Sequence, residues 1–299
     1  MGKPLKIGRA YSVAVSRDES RVAALARFVF VWDLLSGKKA FRSHPFAHPS
    51  DAAFSPNGEH VAVKNTAGRI AIVAADDGRT VADFENESDG EGSNVAYSSC
   101  GEFLIDGSWA GRIRVRQSTR GTITFEEHFP HEMIRAIHCE ITGKHWIVEH
   151  QPIIRPGEKF APPAYFSAWE WPFRSKMYSV LPYHVGLLYS SALSADGGRL
   201  AIVRGGPAAT LEVFEPPNTM AVCSAPIKVG GTGSALCWSP DGRFLGSVQD
   251  KRIAIYRVPD FSCVAEFALS YPSDIAFCAK SNSVVLGDWE QGLVVAADW

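Results

Sequence analysis

A short apolar run, a polar four-residue turn and a second apolar run recur along the whole chain, and this repetition limits the fold more than anything else in the sequence. Its clearest copies are Ala53-Phe54-Ser55-Pro56-Asn57-Gly58 and Leu236-Cys237-Trp238-Ser239-Pro240-Asp241-Gly242. Weaker copies begin their turns at Ser16, Ser98, Glu140, Ser194 and Ala279, giving seven in all. The starts are separated by 39, 43, 42, 54, 45 and 40 residues, which brackets the ~40–45 residues of a four-stranded propeller blade. Pro presets φ at the second turn position, and Asp, Asn or Gly accept the left-handed geometry that follows, so each hairpin closes at little cost.

Within the units, β-branched and aromatic residues alternate with polar ones between Gly, Asp, Asn and Pro, which is the pattern of strands. In the sixth unit this predicts strand a over Ala235–Trp238, b over Arg243–Val248, c over Arg252–Arg257 and d over Cys263–Leu269. A single blade cannot bury both of its faces, so neighbours must stack around a ring. The expected fold is all-β, a seven-bladed β-propeller formed as one domain over residues 1–299. After the last turn only strands b (Ser283–Gly287) and c (Leu293–Ala297) fit. Pro4–Gly8 is therefore expected to pair with blade seven as its missing strand, closing the ring and covering its edge.

With these repeats, and with Trp32-Asp33 at the end of a strand c, the chain resembles a divergent WD-repeat β-propeller over essentially its whole length. The sites equivalent to Trp32 in the other units hold Val73, Arg116, Trp169, Phe214, Tyr256 and Ala296. The family's hydrogen-bonded tetrad wants an Asp in the turn between strands b and c, and Asp250 stands at that offset. The resemblance implies a partner-binding rim made of the b–c loops and the connections between blades.

Thirty basic against thirty-two acidic residues leave a formal net charge of -2, so the chain lacks the broad positive field that general nucleic-acid or anionic-membrane binding requires. Lys3, Lys6 and Arg9 are followed by no signal-type apolar run, and no stretch approaches eighteen apolar residues. A cytoplasmic protein without a membrane anchor is the expectation. The six cysteines lie at least fourteen residues apart with no C-x-x-C pair, and are expected as buried small apolar residues. His128, His131, His138, His145 and His150 match no zinc spacing, so no metal site is assigned. With neither a G-x-S-x-G elbow nor a phosphate loop, no catalytic residue and no cofactor is assigned either.

The long fourth spacing carries an insertion over about residues 150–164, and loops of that length are usually functional or disordered. Arg155 and Phe160 are its candidate contact residues. Trp109 and Trp289 stand in matching b–c turns on the same rim, and Trp is enriched in binding hot spots. Glu85, Glu87, Asp89 and Glu91 make the loop between blades two and three acidic, with Glu87 and Asp89 at its centre. Pro49-Ser50-Asp51 and Pro272-Ser273-Asp274 repeat at two strand-a starts, placing Asp51 and Asp274 near the channel rim. There each carboxylate either caps local backbone N–H groups or serves acid–base chemistry. The function these features point to is a non-catalytic scaffold that binds a protein or peptide on this rim. The alternative is a propeller hydrolase or lyase with its site at the channel mouth.

Overall fold

A computed structural model describes residues 4–85, 92–154, 157, 159, 162–173, 175–180, 188–205, 209–230 and 235–296. Its strands form seven sheets, six of them four-stranded and built from strands consecutive in the chain. The seventh combines the last two strands, Pro272–Cys278 and Ser283–Ala296, with the first, Leu5–Ala10. Leu5 lies opposite Val294 and Ala10 opposite Asp288, so the predicted closing strand is present and extends two residues beyond Gly8. The ring is thus a seven-bladed β-propeller shut by its own first strand.

Among the described residues seven hydrophobic clusters make up the core, and each is shared by two adjacent blades. Strand c of blade two, Ile70–Ala74, shows how alternation produces this. Its Ala71 and Val73 pack toward blade one, while Ile70 and Ile72 pack toward blade three. Successive side chains of a strand point to opposite faces, so a strand apolar on both parities must lie between two neighbours. Outermost strands such as Ile123–His128 are largely exposed and polar.

The repeated turn has a specific cause. The Ser55 hydroxyl accepts the His60 N–H at 2.9 Å and donates to Asn57 Oδ1 at 2.7 Å. Gly58, at φ 72°, closes the turn on the Ser55 carbonyl. The same bond, with Asp in place of Asn, recurs at Ser16, Ser194 and Ser239. In blade four Glu140 replaces the hydroxyl, its carboxylate accepting the N–H groups of Thr142, Lys144 and His145.

Four expectations change in detail. Strand b of blade four runs from His145 to Pro152, so the first three residues assigned to the insertion are strand. Ser283–Ala296 is one continuous element carrying both inner strands of blade seven, with Asp288 holding the turn between them. The last a–b turn follows Cys278, which occupies the place of Ser55 and is still strand. Of the six cysteines only Cys278 is buried, and Cys100 and Cys263 are exposed, because Cys100 lies in an a–b turn and Cys263 on an outermost strand. Among the described residues, no helix is long and apolar enough to cross a membrane.

Candidate functional site

Trp109 and Trp289 emerge from the b–c turns of blades three and seven, 44% and 50% exposed. The Trp109 turn is fixed at its base. Gly111 N–H donates to Ser108 O at 3.1 Å, and Ile134 N–H, from the first strand of blade four, donates to the same carbonyl at 3.0 Å. Gly111 has φ 79°, and a Cβ there would stand 2.1 Å from Phe129 O, so only glycine lets the turn lie against the connection between blades. The Trp289 turn is organised by the buried Asp288 carboxylate, which accepts the N–H groups of Tyr271, Glu290 and Gln291 at 2.7–2.9 Å. The indole of Trp289 packs on Tyr11 with ring centroids 4.9 Å apart, and Trp289 N–H donates to Tyr271 O at 3.0 Å. Half-exposed Tyr271 and partly buried Tyr11 join this rim, although sequence reasoning did not single them out. Blades three and seven are separated by two others on one side and three on the other, so the two tryptophans share a rim without sharing a pocket.

Arg155, Phe160, Glu87 and Asp89 lie outside the described residues, as does Glu91. Glu85 is exposed at the start of the acidic stretch, and Ile154 is exposed at the start of the insertion.

Asp51 and Asp274 sit on innermost strands, and their bonds reach beyond local caps to the next blade. Asp51 Oδ2 accepts Val95 N–H from blade three, and Asp274 Oδ2 accepts Val13 N–H from blade one, each at 2.8 Å. Asn94 does the same between blades three and four, exchanging two 2.8 Å bonds with the backbone of Ile137. Desolvation pushes the Asp51 carboxyl up to about 7 and that of Asp274 up to about 6, against their backbone donors. Although blade one separates them, the charge of Asp274 contributes to the rise at Asp51, while Lys64 opposes it.

Two buried polar networks escaped the sequence reading. In blade four, His150 Nδ1 lies 2.9 Å from Glu132 Oε2 and its Nε2 lies 2.6 Å from Ser167 Oγ. Trp169 Nε1 donates to Ser167 Oγ at 2.7 Å, and Tyr165 stacks on His150 while its hydroxyl donates to Glu132 Oε2. The order Ser–His–Glu is that of a nucleophile, base and orienting acid. Here, however, Ser167 and His150 are both 0% exposed, and the serine oxygen is already engaged by an indole. Burial lowers the His150 pKa; burial alone would raise Glu132, but its bonds from His150 and Tyr165 outweigh that and hold it low. In blades two and three, Lys64 Nζ donates to Ser93 O, Gly107 O and Asp106, and Asp106 Oδ1 accepts from Arg116 Nη2 at 3.1 Å. All three charged side chains are buried, and such charges persist only when paired. Only Trp169 and Arg116, at the positions equivalent to Trp32, signalled these networks; their other members lie too far apart in sequence to form a motif.

Among the described residues no three His, Cys, Asp or Glu side chains are grouped to hold a metal ion. No family model matches the chain, and neither does any curated protein. The propeller assignment therefore rests on the architecture itself.

Proposed function

We propose that this chain is a divergent WD-repeat propeller that acts as a non-catalytic scaffold, binding a protein or peptide on the rim that carries Trp109, Trp289 and the blade-four insertion. The observation that carries the reading is Trp289, a half-exposed indole on a turn fixed by the Asp288 carboxylate and packed on Tyr11. A large aromatic held in place before binding loses little conformational freedom on contact, which is the character of an interface anchor. Trp109, on its glycine-locked turn, is a second such anchor. Arg155 and Phe160 in the insertion, and Glu87 and Asp89 in the acidic stretch, are proposed as contacts around them. The WD-repeat part of the reading draws support from blade four, where Trp169, Ser167, His150 and Glu132 form a buried relay, although its acid stands at the start of strand a and not in the b–c turn.

Fold alone does not assign function, so the test is made on the rim. The tagged chain is purified from its native cells at physiological salt, and stoichiometric companions are identified by mass spectrometry. Trp109→Ala combined with Trp289→Ala is expected to abolish that companion while leaving the thermal midpoint unchanged. A companion retained by the double variant would move the interface elsewhere. The reading as a channel enzyme draws on the raised carboxyls of Asp51 and Asp274. Its support is smaller, because both already accept backbone N–H groups at blade seams.

A further inference from the structure

We propose that the rim over blades seven and one docks an acidic, extended segment of a protein partner, read by Arg27 and Arg42 beside an aromatic shelf. The inference rests on the rim reading above and adds the partner's chemistry.

Phe28, in the b–c turn of blade one, orients two guanidinium groups: Arg42 Cζ lies 3.9 Å from its ring centroid and Arg27 Cζ 5.6 Å. His44 packs on the same ring at 5.1 Å. Arg27, Arg42 and His44 are exposed. Several other surface arginines are neutralised within their own blades, Arg69 by Asp83, Arg112 by Glu126, Arg243 by Asp241 and Arg252 by Glu266, whereas Arg17, Arg120 and Arg257 are exposed singly. Arg27 and Arg42 have no carboxylate within 4.0 Å among the described residues. They are held by a ring whose face attracts cations but does not cancel their charge. Around Phe28 the two exposed guanidinium groups make a local positive patch in a chain of net charge -2, and such a patch favours anions.

A chain of contacts carries the surface on without a break. Tyr11 Oη donates to Ala26 O at 2.6 Å, beside Arg27. Tyr11 packs on Trp289, and Trp289 N–H bonds to Tyr271 O. One end of the surface thus offers paired cationic forks suited to carboxylates, and the other offers exposed aromatic faces suited to apolar side chains. A ligand that satisfies both must be long and must combine acidic with apolar residues, which a protein segment does.

The probe is a displayed library of random dodecapeptides, selected on the full chain and on the Arg27→Glu/Arg42→Glu variant. Peptides rich in Asp and Glu with an apolar or aromatic residue are expected on the original surface. Their dissociation constants should rise at least about tenfold on charge reversal and also rise with salt. The reversed surface should instead select Lys and Arg. Both substitutions are on exposed side chains, and an unchanged thermal midpoint confirms an intact ring. Selection without acidic bias, no selection at all, or peptides indifferent to charge reversal would overturn the proposal. If a native companion were lost with Trp289→Ala yet unaffected by the arginine variant, the rim reading would stand and the acidic segment would fall.

Discussion

Blades one and four both end their third strand with tryptophan and an acid, Trp32-Asp33 and Trp169-Glu170, but they are held together from opposite sides. Blade four is held from within. Trp169 reaches Ser167 two residues earlier, Ser167 reaches His150 on the neighbouring strand, and His150 reaches Glu132. In blade one the position two residues earlier is Phe30, the Trp32 indole N–H is buried with no acceptor among the described residues, and Asp33 instead caps the next turn through Ser36. Blade one is held from outside, by blade seven. Asp274 takes Val13 N–H, and Glu19 takes the N–H groups of Ala279 and Lys280. The dipeptide alone therefore does not build the network. What decides is whether the residue two positions earlier offers an oxygen.

This contrast can be broken most easily in blade four. His150→Ala removes the buried imidazole from between Glu132 and Ser167 and leaves a cavity beneath the Tyr165 and Phe129 rings, and a loss of about 3–4 kcal/mol is expected from denaturant midpoints. Ser167→Ala removes the shared oxygen alone and should lose about 2 kcal/mol. If either variant lost no more than a surface substitution, the internal relay would not be what holds the blade.

The seam of blade one makes a pH-dependent prediction. A carboxyl raised in the folded state contributes stability that is full below its unfolded value, 3.8 for Asp274, and is lost as pH rises through about 6. Asp274→Asn keeps an acceptor for Val13 N–H, as Asn94 does for Ile137. It should therefore stabilise the ring at pH ~8 by about 1–2 kcal/mol and flatten stability between pH ~4 and ~6. Asp51→Asn should extend the flattening toward 7, since that carboxyl is raised to about 7. Urea midpoints measured across this range check both; an unchanged slope would mean that neither carboxyl is desolvated.

The smallest effect belongs to Trp32→Phe. It removes an indole N–H that has no acceptor among the described residues, and a change within about 1 kcal/mol is expected. A loss as large as that of His150→Ala would erase the difference between the two blades.

The architecture was legible because it repeats. Ser55 and its counterparts recur at blade spacing, and Ser16, Ser55, Ser194 and Ser239 have an acid or amide two residues on; a local turn needs nothing from elsewhere in the chain. Pro49-Ser50-Asp51 and Pro272-Ser273-Asp274 were legible as equivalent strand starts, but the partners of their carboxylates were not. Val95 and Val13 lie one blade onward and become neighbours only when the ring shuts. Trp109 and Trp289 were readable as turn residues on one rim, whereas the packing of Tyr11 on Trp289 joins the first blade to the last across most of the sequence.

The sequence by itself determined the number of blades, the strand pattern within each and the need for a closing strand, since all of these follow from local turn chemistry and period-two alternation. Only the tertiary structure decided which buried polar groups meet and which charges stay unpaired at the surface. Glu132, His150 and Ser167, or Phe28 with Arg27 and Arg42, come within bonding or stacking distance through strand pairing. The energies of such contacts depend on separations of a few ångströms that no single segment of the chain encodes.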